Sequence, residues 1–69
     1  MATGTVEWFD DKRGFGWLNE VGRAERVFVH YSAIDSTGFK TLSAGDAVIF
    51  DVEQSPKGPR AENVIRLST

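Results

Sequence analysis

A small all-β barrel of five strands is the fold class this sequence predicts, on three observations. Short runs of alternating character are separated by Gly, Pro, Asp and Ser, the punctuation of turns between strands. No window keeps a 3.6-residue apolar period over three turns, so no sizeable helix is expected. Five strands within 69 residues would leave exposed edges in an open sheet, and closure into a barrel removes them.

The first run, Thr3 to Asp11, carries Val6 as a core residue and Trp8 as a surface residue. Strict alternation puts these two on one side, so a bulge or strong twist is expected near Glu7. Lys12 and Arg13 turn the chain into the second run, Gly14 to Glu20. Leu18 is its core residue, with Gly14 and Gly16 on the same side and Phe15 and Trp17 on the other. After the loop VGRA comes Glu25 to Tyr31, the clearest strand, rich in β-branched and aromatic residues. Val27 and Val29 point inward there, and Phe28 and His30 outward. A longer connection follows from Ser32 to Gly45, in which Ser32 is expected to cap a helical turn over Ala33 and Ile34. The fourth run, Asp46 to Glu53, contributes Val48, Phe50 and Val52 to the core. SPKGP is a turn cluster, and Arg60 to Leu67 is the fifth run.

The outward positions collect Trp8, Phe15, Trp17, Phe28 and His30 on one face, with Tyr31 and Phe39 at its border. Large apolar surfaces mark binding sites. Flat aromatic ones accept unstacked nucleobases, at about 1–3 kcal/mol per base whatever its identity. Alternation alone leaves a second reading open, in which every aromatic of so short a chain belongs to the core. Gly14 and Gly16 shift the balance toward the platform, because they permit close backbone approach between the aromatics. They also suit the inward positions of a tight barrel. Lys12 and Arg13 at the first turn, and Lys57 and Arg60 flanking the second, are the cations placed to meet phosphates.

Composition narrows the function classes. The net charge of −2 argues against a general affinity for polyanions, so the distribution of the eight Lys and Arg residues matters more than their sum. With one histidine, no cysteine and no pair of convergent carboxylates, an enzyme is not expected. His30 and Ser32 fall on one strand face without an acid partner. No spacing suits a metal, no phosphate-cradling loop is present, and no cofactor is expected. The longest apolar run is Ala47 to Phe50, too short for a membrane span or a signal peptide. The lack of cysteine fits a reducing cytoplasm. An aromatic-faced barrel that binds proline-rich peptides stays open as the alternative.

The stretches GTVEWFDDKRGFGWL and VFVHYSAI strongly resemble the bacterial cold-shock proteins, the cold-shock domain family. The resemblance extends through GFKTL, GDAVIFDV and KGPRAENV, essentially the whole chain. RGFGWL is similar to the family's first ribonucleoprotein motif and VFVHY to its second. An RNA-recognition-motif domain carries such motifs in the opposite order and needs two helices, so it is set aside. The resemblance implies a five-stranded antiparallel Greek-key barrel of the oligonucleotide-binding (OB) type, with residues 1–69 as a single cold-shock domain.

It also implies single-stranded RNA and DNA as partners, pyrimidine-rich by preference, and a cytoplasmic RNA chaperone that can affect transcription or translation. The expected form is a monomer, with a strand-exchanged dimer as the alternative. Trp8, Phe15, Trp17, Phe28, His30, Tyr31 and Phe39 match the family's base-stacking positions, with Phe9 supporting the cluster from partly below. The chain departs from the family pattern at Glu7, where lysine is usual, at Asp10 (asparagine), at Thr5 (a cation), at Arg26 (an acid) and at Trp17 (phenylalanine). These departures imply a weaker electrostatic contribution than in a typical member, and stacking that is no weaker.

Overall fold

The computed structural model describes residues 1–35 and 40–67. Five strands run in the order β1 (Ala2–Asp10), β2 (Phe15–Glu20), β3 (Val27–His30), β4 (Ala47–Ser55) and β5 (Gly58–Arg66), with a 3₁₀ turn at Tyr31–Ala33 after β3. They close as β1-β2-β3-β5-β4, with β4 pairing back onto β1. This is the five-stranded Greek-key barrel expected. Its pairings are antiparallel except for β3 against β5, which is parallel and aligns Phe28 with Arg60.

The strand ends differ from the sequence expectation for local reasons. β3 begins at Val27, because the Arg23 guanidinium bonds both Glu20 and Glu25 and holds the preceding residues as a loop. It ends at His30, and Tyr31 opens the 3₁₀ turn. The cap of that turn is His30, whose ring accepts the Ser32 N–H; Ser32 is inside the turn. The SPKGP cluster contracts to a two-residue turn at Pro56 and Lys57, so β4 runs on to Ser55 and β5 starts at Gly58.

The core is almost wholly aliphatic. Val6, Leu18, Val27, Val29, Val48 and Val64 are buried together with Ile34, Leu42 and Ala61, and Phe50 is the one aromatic among them. Val52, expected in the core, is half-buried and packs against its edge. Among the described residues no polar or charged side chain is buried. The reading in which all aromatics form the core is therefore overturned: nine aliphatic side chains and Phe50 fill the space inside these short strands.

The irregularity expected near Glu7 is present. Val6 pairs with Leu18 but Trp8 pairs with Trp17, so one extra residue, Glu7, is accommodated on β1. Val6 is buried while both Glu7 and Trp8 are exposed, so the bulge turns two successive side chains outward. A second register shift lies between Ile49 and Asp51 on β4. Opposite it, Asn63 takes a left-handed conformation (φ 52°), tolerable for its short polar side chain, which donates to Asp51 Oδ2 at 3.0 Å.

Candidate nucleic-acid interface

The β1–β2 turn is built by its own side chains. Asp10 Oδ1 accepts the backbone N–H groups of Lys12 and Arg13 at 3.0 and 3.1 Å, and its carbonyl accepts Gly14 N–H at 2.7 Å. Gly14 (φ 78°) then redirects the chain, and a Cβ there would come within 2.8 Å of the Tyr31 ring. The turn thus seats Tyr31, whose N–H donates to Gly14 O at 2.8 Å. Gly16 serves a different purpose. A Cβ there would run into the Trp8 carbonyl oxygen and lie 2.8 Å from Phe9 Cα, so Gly16 lets β2 approach the β1 backbone next to the bulge.

With those glycines in place, β1, β2 and β3 present a chain of rings. Trp8 meets Phe15 edge-on at 6.0 Å between centroids. Phe15 lies stacked toward Phe28 at 5.9 Å, and Phe28 meets Trp17 edge-on at 5.4 Å. The register explains the contacts, since Phe15 pairs with His30 and Trp17 with Phe28 across β2 and β3. His30 continues to Tyr31, its ring 4.6 Å away. Phe15, Trp17 and Phe28 are half-buried by one another, while Trp8, His30 and Tyr31 are exposed. His30 Nδ1 is occupied by Ser32 N–H and Oγ, at 3.3 and 2.9 Å. Phe9 is half-buried and packs on the core. Phe39 lies outside the described residues.

The parallel β3–β5 contact brings the second pair of expected cations to this face. Trp17, Phe28 and Arg26 on one side, and Pro56, Lys57 and Arg60 on the other, line a groove of about 850 Å³. Lys12 and Arg13 are exposed at the opposite end of the ring chain, in the β1–β2 turn. The structure also adds Arg26, which was not expected as a site residue. Its guanidinium carbon stands over the Trp17 ring, 4.4 Å from the centroid. The signal was present in the sequence, because Arg26 has the same parity as Phe28 and His30 along the third run.

Every arginine is already paired within the chain. Arg13 lies 3.8 Å from Asp10, Arg26 3.5 Å from Glu7, Arg60 3.0 Å from Glu62 and Arg66 3.6 Å from Asp46. Arg23 holds Glu20 at 2.6 Å and Glu25 at 3.3 Å, and the Glu20 hydrogen bond raises its pKa above the ordinary arginine value. Among the described residues, Lys12, Lys40 and Lys57 are in no such pair.

Comparison with known proteins decides the family. The family model described as the 'Cold-shock' DNA-binding domain matches residues 2–67. The chain belongs to the cold-shock domain family. It is 55% identical over 65 residues to the cold shock-like protein CspA of Shewanella violacea, covering 94% of this chain and 93% of that one. It is 53% identical over 64 residues to the cold shock-like protein CspA of Stigmatella aurantiaca, covering 93% and 94%. Among solved structures, Drosophila Unr CSD456 superposes with a TM-score of 0.81 at 28% identity, over 97% of this chain and 26% of that one. The cold-shock domain is a nucleic-acid-binding family, and the strand order here is that of its OB-type barrel.

Proposed function

We propose that this cold-shock domain binds single-stranded RNA and DNA, pyrimidine-rich by preference, by stacking bases on the ring chain of Trp8, Phe15, Phe28 and Trp17. His30, Tyr31 and Phe39 extend the platform, and Lys12, Arg13, Lys57 and Arg60 meet phosphates along its length. The observation that carries this reading is the segregation of the aromatics. The barrel packs its interior with aliphatic residues and Phe50, and leaves four rings joined in a chain of contacts on one outer face. Interplanar angles of 61° and 75° at the two ends of the chain present faces and edges in succession, which suits bases splayed out one after another along a strand.

A ligand held this way is single-stranded by construction, because in a duplex each base face is covered by its stacked neighbours. Binding captures transiently open strands and shifts hairpins toward melting by mass action. This is the activity of an RNA chaperone in the cytoplasm, and it needs no nucleotide hydrolysis. Quenching of Trp8 and Trp17 fluorescence by a short oligo-thymidine at low salt tests the reading directly. Quenching by a proline-rich peptide, with none by the oligonucleotide, assigns the groove to a protein ligand instead.

A further inference from the structure

The Glu7–Arg26 pair does more than join two strands. Glu7 is the extra residue of the β1 bulge, and Arg26 immediately precedes β3. Their ion pair therefore bridges β1 and the start of β3 across β2, where Trp17 lies between them. Both side chains are well exposed, 38% for Glu7 and 47% for Arg26, and pairs so exposed contribute little to stability. What the pair does fix is the position of a guanidinium, over Trp17 and on the wall of the groove. Only Nη1 is directed at Glu7, which leaves most of the five N–H donors of the fork unused.

We propose that Arg26 is a base-reading residue with Glu7 as its positioning residue, and that together they make the Trp17 end of the groove a subsite for guanine. The inference rests on the stacking function proposed above. A guanidinium offers donors and no acceptors, so it discriminates among bases by their acceptors. Guanine presents two adjacent acceptors, O6 and N7, that match the fork in a bidentate contact. Thymine presents isolated carbonyls flanking an N–H, and adenine sets an amino donor beside its N7. Cytosine has an acceptor pair, but guanine adds the larger ring system to stack on Trp17 beside the guanidinium. Glu25, which also lines the groove, is held by Arg23 at 3.3 Å.

The test is fluorescence anisotropy with labelled thymidine hexamers in which each position in turn carries guanine, 7-deazaguanine, adenine or cytosine. Guanine at one position is expected to tighten binding about fivefold or more over thymine, the lower end of the discrimination a bidentate contact supplies. Loss of N7 in 7-deazaguanine removes most of that gain. The readout is the guanine-to-thymine ratio within each variant, so changes in overall affinity cancel. Arg26→Lys keeps the charge but not the fork and is expected to bring the ratio near one; Glu7→Gln, which releases the guanidinium, lowers it. Equal affinity for guanine and thymine at every position, a preference for adenine or cytosine, or a ratio unmoved by Arg26→Lys overturns the inference while leaving the stacking function standing. Failure of every hexamer to bind at low salt overturns both.

Discussion

Phe28 and Arg60 are partners across the parallel contact of β3 with β5. That pairing sets the C-terminal hairpin, with Lys57 in its turn, beside rings carried by the N-terminal strands. It also determines how many phosphates the face can neutralise. If Lys12, Arg13, Lys57 and Arg60 are the contacts, log Kd against log salt changes with a slope no steeper than about 3, at roughly 0.7 per phosphate of a single strand. The pairing of Arg13 with Asp10 and Arg60 with Glu62 works in the same direction. Titration of oligo-thymidine across salt concentrations measures the slope, and Lys57→Gln should lower it by about 0.7. A much steeper slope means that other cations reach the strand.

Phe28 and Phe50 make opposite predictions. Phe28→Ala removes the ring that touches both Phe15 and Trp17, and should weaken oligo-thymidine binding by about 1–3 kcal/mol while the far-ultraviolet circular dichroism stays that of the folded barrel. Phe50→Ala removes the largest fully buried side chain among the described residues, at about 3–5 kcal/mol of folding stability. That is comparable with all that so small a core supplies, so urea denaturation should find this variant largely unfolded. Equal loss of stability in the two variants would contradict the division between face and core.

Gly16→Ala tests the close approach of β2 to β1. The new methyl group would meet the Trp8 carbonyl and Phe9 Cα, both on the backbone, where no side-chain rotation relieves it. The urea midpoint should fall well below that of the native protein. An Ala tolerated at native stability would mean that the bulge at Glu7 can shift.

Glu7→Lys reverses a charge beside Trp8 and releases Arg26 from its pair. Binding of oligonucleotides in general should tighten by about 1 kcal/mol at low salt, as a repulsion becomes an attraction in water. The gain should shrink as salt rises. Unchanged affinity would place Glu7 away from the path of the strand.

Much of this architecture is legible in the residues, and the remainder is illegible for definite reasons. The inward valines and outward Phe28 and His30 follow from period-two alternation on β3. The conflict between Val6 and Trp8 on one strand locates the bulge, because only an extra residue reconciles a buried valine with an exposed tryptophan two positions later. The limits of β3 escape such reasoning, since Arg23 holds the loop through side-chain bonds that propensity does not encode. The cap at His30 also escapes it, since sequence reasoning favours the Ser32 hydroxyl over an imidazole accepting a backbone N–H. The pairing of Glu7 with Arg26, 19 residues apart, is a product of strand order and is illegible in the sequence, whereas the outward position of Arg26 follows from its parity with Phe28.

The groove has one wall on β2 and β3 and the other on the β4–β5 hairpin, and the two halves meet through the Phe28–Arg60 pair and a bridge from Ile34 to Val64. A strand lying in that groove is a clasp across the barrel's shortest seam. Ligand and fold are then thermodynamically linked. At 100 times Kd, occupancy adds about 2.7 kcal/mol to a small domain's stability, so the share of intact barrels rises with the supply of unpaired strands.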